Sequence, residues 1–134
     1  MSDLLLLLVE DNADDALLLM KKITSMKDDA LNDYVFKITH VTTIKEALAH
    51  LHNTDVHVVL LDLALPDSLR LDGLRAVQKA CPLTPIIVLT GNEDQSVALD
   101  AIGLGAVNYL VKGTVSQERV AVAVLAAAKN KKVS

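Results

Sequence analysis

Three acids, one hydroxyl and one ammonium fall where phosphoryl chemistry could use them. They are Glu10, Asp11, Asp62, Thr90 and Lys112. They close or directly follow four apolar runs, "LLLLLVED", "VVLLD", "IIVLT" and "NYLVK". Asp62 is the most pointed case, because burying a carboxylate without a partner costs several kcal/mol at the least. If the four runs end side by side, three carboxylates meet and repel, and at least one of them has a raised pKa. A divalent cation removes that repulsion. An all-oxygen ligand set without His or Cys suits Mg²⁺, Mn²⁺ or Ca²⁺ rather than zinc. A carboxylate can also act as a nucleophile toward phosphorus and form an aspartyl-phosphate. Lys112 would then serve as charge clamp and Thr90 as hydrogen-bond donor to the phosphoryl oxygens.

The elements that must position these residues alternate along the chain. Apolar, β-branched segments at 4–9, 36–41, 56–63, 85–91 and 107–111 read as strands. Segments at 14–23, 43–53, 71–81, 93–106 and 116–130 carry apolar residues at helical spacing. Thr43 is placed to cap the second helix, Pro82 stops the third and glycine closes the fourth. Five such strand–helix units predict an α/β fold. It is a doubly wound five-stranded parallel sheet, a (βα)5 flavodoxin-like sandwich, with ligands expected beyond the carboxyl ends of the strands. The charged stretch 24–35 fits either an extension of the first helix or a solvated loop.

Composition bounds the rest. The 134 residues suit a single domain spanning 1–134, and 51% are hydrophobic, so a sizeable core is available. Aromatics are scarce, so Leu, Val, Ile and Ala must fill it. The net charge of −4 argues against non-specific nucleic-acid binding, which depends on Lys and Arg. A single cysteine, Cys81, excludes an internal disulfide and reads as a small buried hydrophobe. The amino-terminus lacks the basic flank and cleavage site of a signal peptide. The longest apolar runs fall far below the ~18 residues that would span a bilayer. A cytoplasmic location without membrane contact is expected.

With its acid pair, "LLLVEDN", followed by "VVLLDLALPDS", "PIIVLTG" and "GAVNYLVKG" in that order, resembles the receiver domain of two-component response regulators. The resemblance implies a regulatory phosphoacceptor rather than an enzyme with turnover. Glu10 and Asp11 look like the metal-binding acid pair, and Asp62 and Ala64 belong with them at a Mg²⁺ site. Asp62 looks like the phosphoacceptor, Thr90 the switch hydroxyl, Tyr109 the rotating aromatic, and Lys112 the lysine that bridges to the phosphate. Ala64 and Asn92, each two residues past a site residue, would flank the path of the water that ends the phosphorylated state. The implied donor is a histidine kinase or phosphotransfer protein. No DNA-binding segment follows the last helix in this sequence, so the expected output is a protein contact, a phosphate-relay role, or a domain outside this sequence. Three departures stand out: Gly113 where a proline is common, a long "LALPDSLRLDG" after Asp62, and Glu10 where Asp is also common.

Other readings remain at this level. Strand-end acids and Thr90 could merely cap the following helices, and Tyr109 could be a plain core aromatic. The four histidines show no metal-ligand spacing with Cys81 and read as surface or strand-edge residues. A Mg²⁺-dependent phosphatase of the haloacid dehalogenase type also uses a strand-end aspartate, but it places a second Asp where Ala64 stands. A nucleotide-binding flavodoxin-like protein would want a glycine-rich phosphate loop, which the sequence lacks. A degenerate receiver that acts only as a binding module is the last alternative. The final helix puts Val120, Ala123, Val124 and Ala127 on one stripe and Val122, Leu125 and Ala126 away from it. That surplus is either a surface for an output protein or homodimer, or an ordinary Ala-rich helix.

Overall fold

The computed structural model describes residues 2–25, 34–69, 71–91 and 95–129. The strands are β1 (Ser2–Val9), β2 (Tyr34–Val41), β3 (Val58–Asp62), β4 (Ile86–Thr90) and β5 (Asn108–Val111). The helices are α1 (Ala13–Thr24), α2 (Ile44–Asn53), α3 (Asp72–Ala80), α4 (Gln95–Gly103) and α5 (Gln117–Lys129). All strand pairs are parallel, and the sheet order is β2-β1-β3-β4-β5. The predicted doubly wound sandwich is therefore the one observed.

The central strands explain themselves. Every residue of β3 (VVLLD) and β4 (IIVLT) is buried, as a strand covered on both faces requires. Side chains alternate between the two faces. Leu6, Leu8, Leu60, Ile87 and Leu89 pack with Leu19 and Ile23 of α1 and with Val120 and Val124 of α5. Leu7, Val9, Val59, Leu61 and Val88 pack with Ile44 of α2, Leu74 and Val77 of α3, and Ala101 of α4. The core is aliphatic throughout, as the composition demands.

Local signals set several boundaries. Asn12 caps α1 by accepting the Asp15 N–H at 2.9 Å, and Thr43 caps α2 by accepting from Glu46 N–H at 3.1 Å. The first helix takes up the start of the charged stretch and runs to Thr24; residues 26–33 lie outside the described residues, as do Asn92 and 130–132 of "KNKK". The last helix departs in detail from the expected stripe. Its buried residues are Val120, Ala121, Val124 and Ala127, while Ala123 and Leu125 are half-buried. Ala123 packs against the cluster of Val120, Val124 and Ala127, and Ala121 is buried beside that stripe. Val122 remains 65% exposed.

At the sheet margin, Lys112 N–H donates to the Thr90 carbonyl at 2.9 Å, and Tyr109 N–H donates to the Asn108 Oδ1 at 2.8 Å. Among the described residues, no helix is long and apolar enough to cross a membrane.

Candidate functional site

The parallel sheet delivers its strand ends to one edge, and the charged residues meet there. Lys112 Nζ donates to Glu10 Oε1 at 2.8 Å and to Asp62 Oδ2 at 3.2 Å. It also lies 3.2 Å from Asp15 Oδ2 on α1. Asp62 Oδ1 accepts the main-chain N–H of Ala64 at 3.0 Å, so both oxygens of this buried carboxylate are engaged. The cost of burying Asp62 is thus offset by an ammonium and an amide.

Glu10 is as deeply placed as Asp62. Its Oε2 accepts the Asn12 N–H at 3.2 Å, and its carbonyl meets His40 Nε2 at 2.7 Å. Burial pushes the Glu10 carboxyl up from its ordinary 4.5 to about 7, with a further push from Asp62, against the pull of Lys112. This is the raised acid expected of clustered carboxylates. Burial by itself would lower the Lys112 ammonium, but the Glu10 hydrogen bond and the Asp62 charge outweigh it, and the net shift is upward.

The capping alternative fails for the first acid pair. Asn12 is the residue that caps α1, which leaves Asp11 exposed and available. One oxygen from each of Glu10, Asp11 and Asp62 falls within 4.8 Å of the others. Such an all-carboxylate set fits a hard, oxygen-preferring cation such as Mg²⁺. Beside it lies an open cavity of about 360 Å³, lined by Asp62, Ala64, Ser68, Leu69, Thr90 and Val97 among others. Thr90 is buried at the end of β4 and faces this shared space. Tyr109 is half-buried against the cluster on the α2–α4 side and is not among the residues lining the cavity.

The family model for the response regulator receiver domain matches residues 6–125. The chain belongs to this family. It is a receiver domain of the kind found in two-component response regulators. Among curated relatives it is 33% identical over 105 residues to the luminescence regulatory protein LuxO of Vibrio campbellii, covering 78% of this chain and 21% of the relative. It is 36% identical over 94 residues to the transcriptional regulatory protein YhcZ of Bacillus subtilis, covering 68% of this chain and 42% of the relative. The chain thus spans about a fifth of the length of the LuxO relatives. The receiver domain of a putative Luxo repressor from Vibrio parahaemolyticus superposes with a TM-score of 0.77 at 24% identity, covering 95% of this chain and 91% of that one. NtrX from Brucella abortus gives 0.83 at 20% identity, covering 98% and 28%. Both share the fold.

Two features of this receiver were not legible in the sequence. Asp15 joins the Lys112 cluster from the first turn of α1. Asp67 sits in the long connection after β3, where its carboxylate accepts Ile44 N–H at 2.9 Å and Lys45 N–H at 3.1 Å. That bond ties the connection to the start of α2. An acid one turn past a cap, or directly after a proline, gives no sign of such partners until the chain is folded. Gly113, where proline is common in the family, adopts a φ of +85°, and no peptide bond among the described residues is cis.

Proposed function

We propose that this receiver accepts a phosphoryl group on Asp62. The observation that carries the reading is the Lys112 ammonium, which lies between the buried carboxylates of Glu10 and Asp62 beside a cavity that Thr90 also lines. An oxygen of Asp62 attacks phosphorus, and the bond from phosphorus to the donor breaks as the new P–O bond forms. Lys112 and Thr90 then take the phosphoryl oxygens as cation and hydroxyl donor. Glu10, Asp11 and Asp62, with the main chain of Ala64 nearby, would hold Mg²⁺, which supplies neutralisation of the crowded negative charge.

The donor is a histidine kinase or phosphotransfer protein, and residues 1–134 act as one receiver domain in the cytoplasm. It is a regulatory phosphoacceptor whose only chemistry is on itself. Thr90 moves toward the phosphoryl group, and Tyr109 turns into the space left. The face of α4, β5 and α5, with Val122 exposed, then changes its affinity for an output protein or a second copy. This is a population shift set by differential affinity. Incubation with acetyl phosphate and Mg²⁺, followed by mass spectrometry, should place the modification on Asp62. Equal labelling of Asp62→Asn would overturn the assignment.

A further inference from the structure

We propose that Asp15 is a positioning residue that holds the Lys112 ammonium toward α1 until a phosphoryl group takes it. The inference rests on the phosphoacceptor reading of Asp62. An ammonium offers three donors, and Lys112 has three carboxylate neighbours: Glu10 at 2.8 Å, Asp15 at 3.2 Å and Asp62 at 3.2 Å. Glu10 and Asp62 accept hydrogen bonds from it, and Asp15 stands at ion-pair distance. A phosphoryl group on Asp62 converts the carboxylate to an acyl phosphate and puts its charged oxygens, strong acceptors, beside Lys112, so the ammonium is drawn from one of its present partners.

Burial decides which. The side chains of Glu10 and Asp62 are 1% and 2% exposed, whereas that of Asp15 is 43% exposed. A buried carboxylate that loses its cation stays uncompensated. A half-exposed one is rehydrated at little cost. Asp15 is therefore the arm that releases. Until then it competes with the phosphoryl oxygens for the same ammonium. The helix need not move for this to happen. Lys22, seven residues on and so on the same face of α1, donates to the Val115 carbonyl at 2.8 Å and keeps α1 against the segment after β5.

The test uses beryllofluoride as the phosphoryl mimic, titrated at saturating Mg²⁺ and followed by NMR. Asp15→Asn keeps shape and removes the charge, so the mimic should bind roughly two- to fivefold more tightly, the range for a partly exposed ion pair. Asp15→Glu, which restores the carboxylate, should return binding toward wild type. Asp14→Asn removes the same charge from the exposed neighbouring position on the first turn and should leave binding unchanged. A merely structural role for Asp15 would not tighten binding at all. Unchanged or weaker binding by Asp15→Asn overturns the proposal, as does an equal gain from Asp14→Asn. Wild-type protein that fails to bind the mimic would instead overturn the phosphoacceptor reading, and the role of Asp15 with it.

Discussion

Glu10 and Lys112 stand 102 positions apart in the chain and 2.8 Å apart at their charged ends. Because β1 and β5 are parallel members of one sheet, the pair closes over the end of β3 and encloses Asp62. Most of the expected behaviour of the site follows from this contact.

Mg²⁺ affinity should rise with pH through about 7, since the cation needs Glu10 ionised and burial holds that carboxyl up near 7. Metal-free stability should run the other way. A carboxyl whose folded pKa is raised contributes stability that is complete below its unfolded value of 4.5 and is lost as pH climbs through about 7. Isothermal titration from pH 6 to 8, with melts without metal at the same points, checks both slopes. An affinity independent of pH would show that Glu10 does not ligate.

Lys112→Ala should destabilise the metal-free protein by about 3 kcal/mol, because two buried carboxylates lose their counter-ion. The loss should shrink toward pH 6, where Glu10 can take up a proton, and Mg²⁺ should restore part of it. Denaturant melts at pH 6 and 8 with and without Mg²⁺ measure this. A penalty insensitive to both pH and metal would mean that lost packing dominates.

Gly113→Ala should cost about 1–2 kcal/mol from backbone conformation alone. A Cβ there would meet nothing within 4 Å, yet φ is +85°. Gly113→Pro should cost more, since proline locks φ near −65°. Although proline is common at this position in the family, it does not suit the backbone this chain adopts. Thermal melts of the two variants should rank Ala above Pro; the reverse order would refute the left-handed turn.

Asp67→Ala should destabilise by about 1 kcal/mol, the usual loss for a carboxylate that satisfies helix N-terminal amides. The Ile44 N–H bond holds the Asp67 carboxyl below its ordinary 3.8. Its contribution is therefore present above that value and fades as pH falls through the lower folded pKa. Phosphorylation by acetyl phosphate should be affected far less than stability. A large drop in phosphorylation instead would show that the connection after β3 shapes the reacting cavity.

Much of this was readable before folding. The all-buried strands β3 and β4 announce themselves as unbroken aliphatic runs, and the points where those runs stop place Asp62 and Thr90 at their ends. Asn12 was harder. The run "EDN" holds two residues suited to cap a helix, Asp11 and Asn12, and only the bond to Asp15 N–H shows which of them does. In α5, an Ala-rich helix has little contrast between faces, so the stripe of Val120, Ala123, Val124 and Ala127 was legible but the burial of Ala121 was not. Asp15 and Asp67 depend on partners from distant elements, which no local pattern encodes.

The Asn108–Tyr109 contact bears on how the molecule meets others. Bonds in a parallel ladder alternate sides, so with Lys112 N–H turned to β4, the Tyr109 N–H points off the open margin of the sheet. That donor would be the natural anchor for an incoming strand. The Asn108 side chain already occupies it. The β5 margin is also only four residues long. Recruitment there by strand addition is therefore blunted, and the sheet resists growing end-on into an aggregate.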